Sequence, residues 1–171
     1  MKSELEAKFI QDIFGKNKDD EGFTLIELLI VFILIGILSA IALPSFLNQA
    51  SKAKQSEAKT YVGAVNRAQQ TYRMEHSLFA GDIDTLQIGI STSTDHYDYA
   101  IAVDTGSATI TAAAKDQDAL KGFNGGVTVL SGGQTLAVAC QTAGPQADNP
   151  ITDPSLTSTN AACEGTMTNM N

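Results

Sequence analysis

Gly22-Phe23-Thr24-Leu25-Ile26-Glu27 and the apolar run behind it, 28–43, decide how this chain is read. From Phe23 to Leu43 there are 21 residues. A helix rising about 1.5 Å per residue makes that roughly 30 Å, the thickness of a bilayer's hydrocarbon core. The segment is therefore long and apolar enough to span a membrane. It contains one ionisable side chain, Glu27, and a carboxylate in hydrocarbon costs about 2.5–3.5 kcal/mol on insertion scales unless it finds a partner. A lone acid in that place asks for a cation.

The run GFTLIELLIVFILIGILSAIALPSF resembles the N-terminal signature of type IV pilins and their pseudopilin relatives, and QASKAKQSEAKTYVGAVNRAQQTYRMEHSLFA beyond it looks most like pilins of the cyanobacterial type. The strict likeness covers 22–80, and only the family's general plan extends further. The resemblance implies a leader, 1–22, removed by a prepilin peptidase that cuts after Gly22 and N-methylates Phe23. It also implies that Glu27 pairs with the terminal amine of a neighbouring subunit during assembly. One departure stands out: Asp19, Asp20 and Glu21 precede Gly22 where the family more usually has basic residues. Two local readings of Glu27 compete with the inter-subunit one. The side chain can snorkel to the headgroups, or it can be neutralised by its own α-amine at Phe23, one helical turn away.

Charge is distributed unevenly along the chain. Residues 1–22 hold four lysines and six acids, net −2; residues 23–73 hold five cations against Glu27 and Glu57, net +3; the remainder holds Lys115 and Lys121 against eleven acids, net −9, for the total of −8. An acidic C-terminal part argues against nucleic-acid binding by a head built from it. Residues 1–22 lack the apolar core of a secretory signal peptide, and read as a processing segment whose hydrophobic part lies after the cut. Lysines flank the span on both sides, Lys8, Lys16 and Lys18 against Lys52, Lys54 and Lys59, so charge alone does not orient it. The resemblance does, placing the leader in the cytoplasm and the head outside, anchored in the inner membrane before assembly and in an extracellular pilus after it.

Within the span, Gly36 and Pro44 are the helix's weak points, through backbone entropy and a missing N–H respectively. The resemblance implies a kink or local melting between them in an assembled filament; a simple bend at the bilayer surface is the alternative. From Ser45 to about Glu75 the pattern becomes one-sided, with Phe46, Ala50, Ala53, Tyr61, Val65, Ala68 and Tyr72 at helical spacing and Lys52, Lys59, Asn66 and Arg73 on another face. The expected helix of about 50 residues thus has a membrane-spanning half, 23–44, and an amphipathic half, 45–75.

A globular head, 76–171, follows. Its connecting αβ-loop, 76–96, is expected to carry a short helical turn at Asp84–Leu86. Four strands are expected at 97–103, 108–113, 127–130 and 135–139, the first pair turning at Asp104-Thr105-Gly106-Ser107 and the second at Ser131-Gly132-Gly133-Gln134. The polar, Gly-rich 115–126 reads as a surface connection. A four-stranded antiparallel sheet, 97–140, laid on the amphipathic helix gives an α+β fold, the type IV pilin fold that the resemblance also implies. The tail after Cys140 is short of large apolar residues, and its sequence offers no means of packing itself down.

Cys140 and Cys163 flank that tail. With the head outside the cytoplasm a disulfide is the natural reading, closing a C-terminal loop, 140–163, of a kind common in pilins; free thiols or a metal site are the alternatives. His76 and His96 are too distant to complete a metal site. The pairs Asp82/Asp84, Asp95/Asp98 and Asp116/Asp118 lack the spacing of a calcium loop. No phosphate loop and no nucleophile–base signature is present. The sequence thus reads as a non-enzymatic building block without cofactor or metal. Its expected partners are itself in a helical homopolymer, other pilins, the prepilin peptidase/N-methyltransferase, the inner-membrane assembly platform and the membrane. Two other readings remain: a pseudopilin of type II secretion, and a single-pass membrane protein whose head binds a ligand or ion and never polymerises.

Overall fold

The structure, a computed structural model, describes residues 23–170. A single helix, α1 (Leu25–Glu75), carries Pro44 within it. The chain divides into two units between Phe46 and Leu47.

In the first unit the described residues of α1 have their side chains exposed on every face, Leu25 at 86% and Ile41 at 75%. Uniformly apolar sequence produces this: with no polar face to turn outward, the segment has no amphipathic direction in which to pack on the rest of its own chain. Among the described residues, α1 contains the one stretch long and apolar enough to cross a membrane.

The second unit is the head. Here α1 buries Ala58, Val62, Val65, Asn66 and Gln69, spaced so that they share one helical face. Against that face lie β1 (Tyr97–Asp104), β2 (Ser107–Ala114), β3 (Phe123–Val129) and β4 (Thr135–Gln141). Each pairs antiparallel with the next. The β1–β2 hairpin turns through Thr105-Gly106, with Asp104 paired to Ser107, as the turn cluster predicts. The alternating burial of β2 shows one face directed to the core. Ile110, Ala112, Phe123, Tyr97 and Tyr99 meet Val62 and Val65 there. The connection from α1 includes the 3₁₀ turn Asp84–Leu86 at the expected place.

Three expectations need correction. The tail supplies a fifth strand: β7 (Thr168–Asn169) extends the sheet beyond β4, in the order β1-β2-β3-β4-β7, while β5 (Ser155–Leu156) and β6 (Ala161–Ala162) form a separate two-stranded ribbon. The residues 123–126 are not a surface connection but the start of β3, and they are buried. Their glycines misled because Gly is usually a loop former; here its missing Cβ matters instead. A Cβ on Gly125 would stand 2.7 Å from Val62 Cγ1 and 2.8 Å from Asn66 Nδ2, and one on Gly126 would stand 2.6 Å from Leu156 Cδ1 and 3.1 Å from Pro154 Cγ. Adjacent glycines on opposite faces of one strand let α1 approach from one side and the tail from the other. The head therefore has three layers of helix, sheet and tail, and the tail is held after all. Pro154 and Met167 are buried, Thr128 donates to the Thr157 carbonyl at 3.1 Å, and the Met170 N–H donates to the Ala139 carbonyl.

The third correction concerns the helix face. Asn66, expected among the solvated residues, is buried, whereas Phe46 and Ala53 of the expected apolar stripe are exposed. Asn66 faces inward because its amide donates to the Val138 carbonyl of β4 at 2.8 Å. Gln69, also buried, clamps the chain after α1: its Nε2 donates to the Ala80 carbonyl at 2.7 Å and its Oε1 accepts from the Ala80 N–H at 3.0 Å. Buried amides are tolerated when their hydrogen bonds are made.

Candidate functional site

Phe23 and Thr24 precede the helix, and α1 begins at Leu25. The first helical hydrogen bond runs from the Leu28 N–H to the Thr24 carbonyl at 3.2 Å. Thr24 is thus the residue that caps the helix. Its hydroxyl accepts from the Glu27 N–H at 3.3 Å and donates to Glu27 Oε2 at 2.8 Å, while the Thr24 N–H donates to the same carboxylate oxygen at 2.8 Å. This is a capping box, in which the capping side chain and an acid three residues on satisfy each other's backbone donors. It is worth about 1 kcal/mol of helix stability by analogy with other N-caps.

The capping box answers part of the question that the sequence raises about Glu27. Among the described residues the hydrogen-bond donors to the carboxylate come from Thr24, and an amine at Phe23 exists only once its bond to Gly22 is cut. The sequence signal for Thr24 is the pattern Thr-x-x-Glu ahead of an apolar run, which the charge of Glu27 overshadows. Gly22, the expected cleavage residue, lies outside the described residues.

Around this cap the surface is apolar, with Phe23 83% exposed and Ile26, Leu28 and Leu29 also open. A Cβ built on Gly36 meets nothing within 4 Å, so packing within one chain does not call for a glycine there. Pro44 lies inside α1. At the other end of the chain Cys140 and Cys163 are joined in a disulfide, with Cα atoms 5.8 Å apart. The bond ties β4 to the tail layer, and closing a loop with a sequence separation of 23 stabilises the fold by about 3 kcal/mol in the chain-entropy model.

The remaining polar groups are engaged in local structure. Asp82 accepts from the Thr85 N–H at 2.7 Å, which caps the 3₁₀ turn and holds the carboxyl below the usual range. Asp98 accepts from Ser93 Oγ at 2.6 Å and lies 3.6 Å from Lys115 Nζ; the serine hydrogen bond and then the lysine lower its pKa. Asp116 caps a turn through the Ala119 N–H. His76 stacks on Tyr72 with ring centroids 4.1 Å apart. Among the described residues no three His, Cys, Asp or Glu side chains gather into a possible metal site. Tyr99 donates to Glu57 Oε1 at 3.2 Å, and burial together with the Glu57 charge raises its pKa.

Comparison with known proteins places this arrangement among others. Residues 55–164 match the family described as "Type IV pilin-like G and H", and residues 17–43 match the "Prokaryotic N-terminal methylation motif". Over 70 residues the chain is 49% identical to the type IV major pilin protein PilA of Myxococcus xanthus, covering 39% of this chain and 32% of that protein. It is 32% identical over 113 residues to the fimbrial protein EcpC of Eikenella corrodens, covering 66% of this chain and 74% of EcpC. Over 64 residues it is 33% identical to the type II secretion system core protein G of Vibrio cholerae, covering 37% of this chain and 44% of that protein. Against PilA and a fimbrial protein of Moraxella nonliquefaciens, the matched part spans about a third and a half of the relative's length, 32% and 50%.

Proposed function

We propose, from the premise that this chain belongs to the type IV pilin-like family, that it is a structural subunit of a type IV pilus. In this reading 1–22 is the leader, cut after Gly22 by a prepilin peptidase that then methylates the amine of Phe23. Residues 23–44 hold the subunit in the inner membrane with its head outside, 45–75 carry the head, and 76–171 complete it. Polymerisation moves the apolar helix from lipid into a core made of the same helices from other subunits. The protein works as a building block, without catalysis.

The observation that carries the reading is the state of Glu27. Among the described residues its carboxylate accepts from the N–H and hydroxyl of Thr24, within a segment whose large side chains are exposed and apolar. Hydrogen bonds satisfy its lone pairs but leave its charge uncompensated. An amine from the next subunit supplies the missing charge, in a medium of low dielectric constant where such a pair is strong, and so sets the axial register. Replacing Glu27 by Ala or Val leaves membrane insertion intact and abolishes sheared surface fibres. Abundant normal fibres from either variant overturn the mechanism. Mass spectrometry of the mature chain tests the processing step: it should begin at methylated Phe23, whereas an intact leader favours a single-pass protein that never polymerises.

A second reading has support of its own. The matching family's description names G and H components, and one relative is a secretion-system core protein, so a type II secretion pseudopilin is the alternative. Electron microscopy separates the two: long surface fibres with this chain as their bulk component support the pilus.

A further inference from the structure

Lys52 is exposed and Lys54 half-buried. Neither has an ion-pair partner among the described residues. They follow Leu47 by five and seven residues, and Leu47 and Phe46 are themselves exposed apolar side chains, at 58% and 69%. Cations on the non-cytoplasmic flank of a span run against the usual bias, so their presence there asks for a reason.

We propose that Lys52 and Lys54 bind the anionic phospholipid headgroups of the outer leaflet of the inner membrane while the subunit awaits assembly. The inference rests on the pilin reading above for its orientation. Lys52 and Lys54 follow Leu43, the last residue of the span, by nine and eleven residues, within the roughly 15–20 residues of a span's end over which basic side chains act at the membrane surface. A lysine stem lets its ammonium reach several Å toward headgroup phosphates, and the attraction acts over about one Debye length. Zwitterionic headgroups carry no net charge to attract them. The part of the chain after residue 73, net −9, is repelled by the same surface, so the lysines hold the helix down while the head is kept off. A basic residue at such a surface is worth about fivefold in affinity, and two together roughly 30-fold.

The test uses the full chain, unassembled, in nanodiscs of phosphatidylcholine containing a minor fraction of phosphatidylglycerol. Spin-labelled versions of each lipid report by electron paramagnetic resonance which one is immobilised at the protein. The unaltered chain should select phosphatidylglycerol over phosphatidylcholine, more strongly at low salt; Lys52→Gln with Lys54→Gln should lower the selectivity at least fivefold, and Lys52→Arg with Lys54→Arg should restore it. Equal selectivity in the glutamine variant, or none in the unaltered chain, overturns the proposal. So does a glutamine variant that keeps its lipid selectivity but loses fibres, because the lysines then serve the acidic head of a second copy. No fibre is needed for the lipid measurement, so failure of the pilus reading, seen as absent fibres from the unaltered chain, registers separately.

Discussion

Replacing Gly125 by alanine presses a methyl group against the helix that the head is built on. The new Cβ would lie 2.7 Å from Val62 Cγ1, 2.8 Å from Asn66 Nδ2 and 3.0 Å from Asn66 Oδ1, where ordinary contact begins near 3.5–4.0 Å. Neither neighbour yields easily: Val62 is fully buried and stiff at χ1, and the Asn66 amide is committed to the Val138 carbonyl at 2.8 Å. Overpacking of this kind costs about 1–3 kcal/mol. Displacing the amide and leaving a buried carbonyl unpaired adds about 1–2 kcal/mol. Against this, alanine restricts the unfolded chain, which returns about 0.4–1 kcal/mol because Gly125 does not occupy a positive-φ conformation. The net loss is about 1–4.6 kcal/mol. For a unit running from Leu47 to Asn171, at about 4 °C per kcal/mol, the melting temperature should fall by about 4–18 °C. Thermal unfolding of the full chain in detergent, followed by near-ultraviolet circular dichroism of its tyrosines, measures this. Gly132→Ala is the control, because a Cβ there meets nothing within 4 Å. Equal melting temperatures for the two variants would refute the close approach of α1 to β3.

Gly126→Ala pushes instead on Leu156 and Pro154 of the tail, so hydrogen exchange should accelerate in 154–162 with a melting loss smaller than that of Gly125→Ala; a larger one means the tail is the stiffer layer. Replacing both Cys140 and Cys163 by serine should cost about 3 kcal/mol and expose the tail after β4 to protease, and a tail as resistant as the original refutes the strap. Thr24→Val removes two of the three bonds of the capping box; amide exchange at Glu27 in micelles should rise several-fold, and Thr24→Ser should restore protection. Tyr97 and Tyr99 have pKa values raised in the fold, first by burial and then by Glu57. The folded state keeps its phenols protonated where the unfolded chain begins to lose protons, so stability falls as pH climbs above about 10. Glu57→Gln should flatten that alkaline slope, and an unchanged slope removes Glu57 as a cause.

The sequence discloses elements whose side chains announce them and conceals those built from small or polar residues. A stretch of 21 residues, mostly apolar and with one acid, is legible as long and apolar enough to cross a membrane, and the alternation of 97–103 and 108–113 has no reading as good as a hairpin. By contrast β3 opens with Phe-Asn-Gly-Gly, in which only the phenylalanine carries a strand signal. Its glycines make sense when both neighbouring layers are known, and neither the register of α1 nor the path of the tail can be read from local composition. Asn66 and Gln69 were hidden for a related reason. An amide belongs inside only if a particular backbone group awaits it, and Val138 and Ala80 stand 72 and 11 residues away in sequence. The same holds for β7, two residues long and dependent on β4 for its hydrogen bonds. At the candidate site, Glu27 was legible because it is expensive, and Thr24 was passed over because a threonine ahead of a helix is common.

What the exposed helix demands physically is an apolar surrounding, and both lipid and a bundle of like helices provide one. Moving Leu25, Ile41 and their neighbours from lipid tails to side chains of other subunits therefore changes hydrophobic free energy little, since tails are as apolar as leucine. The transfer has to be decided by groups for which the two surroundings differ. On the proposed mechanism that group is Glu27, the ionisable side chain within 23–43: in lipid its carboxylate accepts from Thr24, and in a stack of processed chains an amine would lie one subunit away. The cap would keep the carboxylate tolerable during the wait and, at about 1 kcal/mol, would be weak enough to be given up for an ion pair in low dielectric. On that proposal the direction of assembly would follow from a difference confined to one side chain, while the long apolar surface would make the exchange reversible.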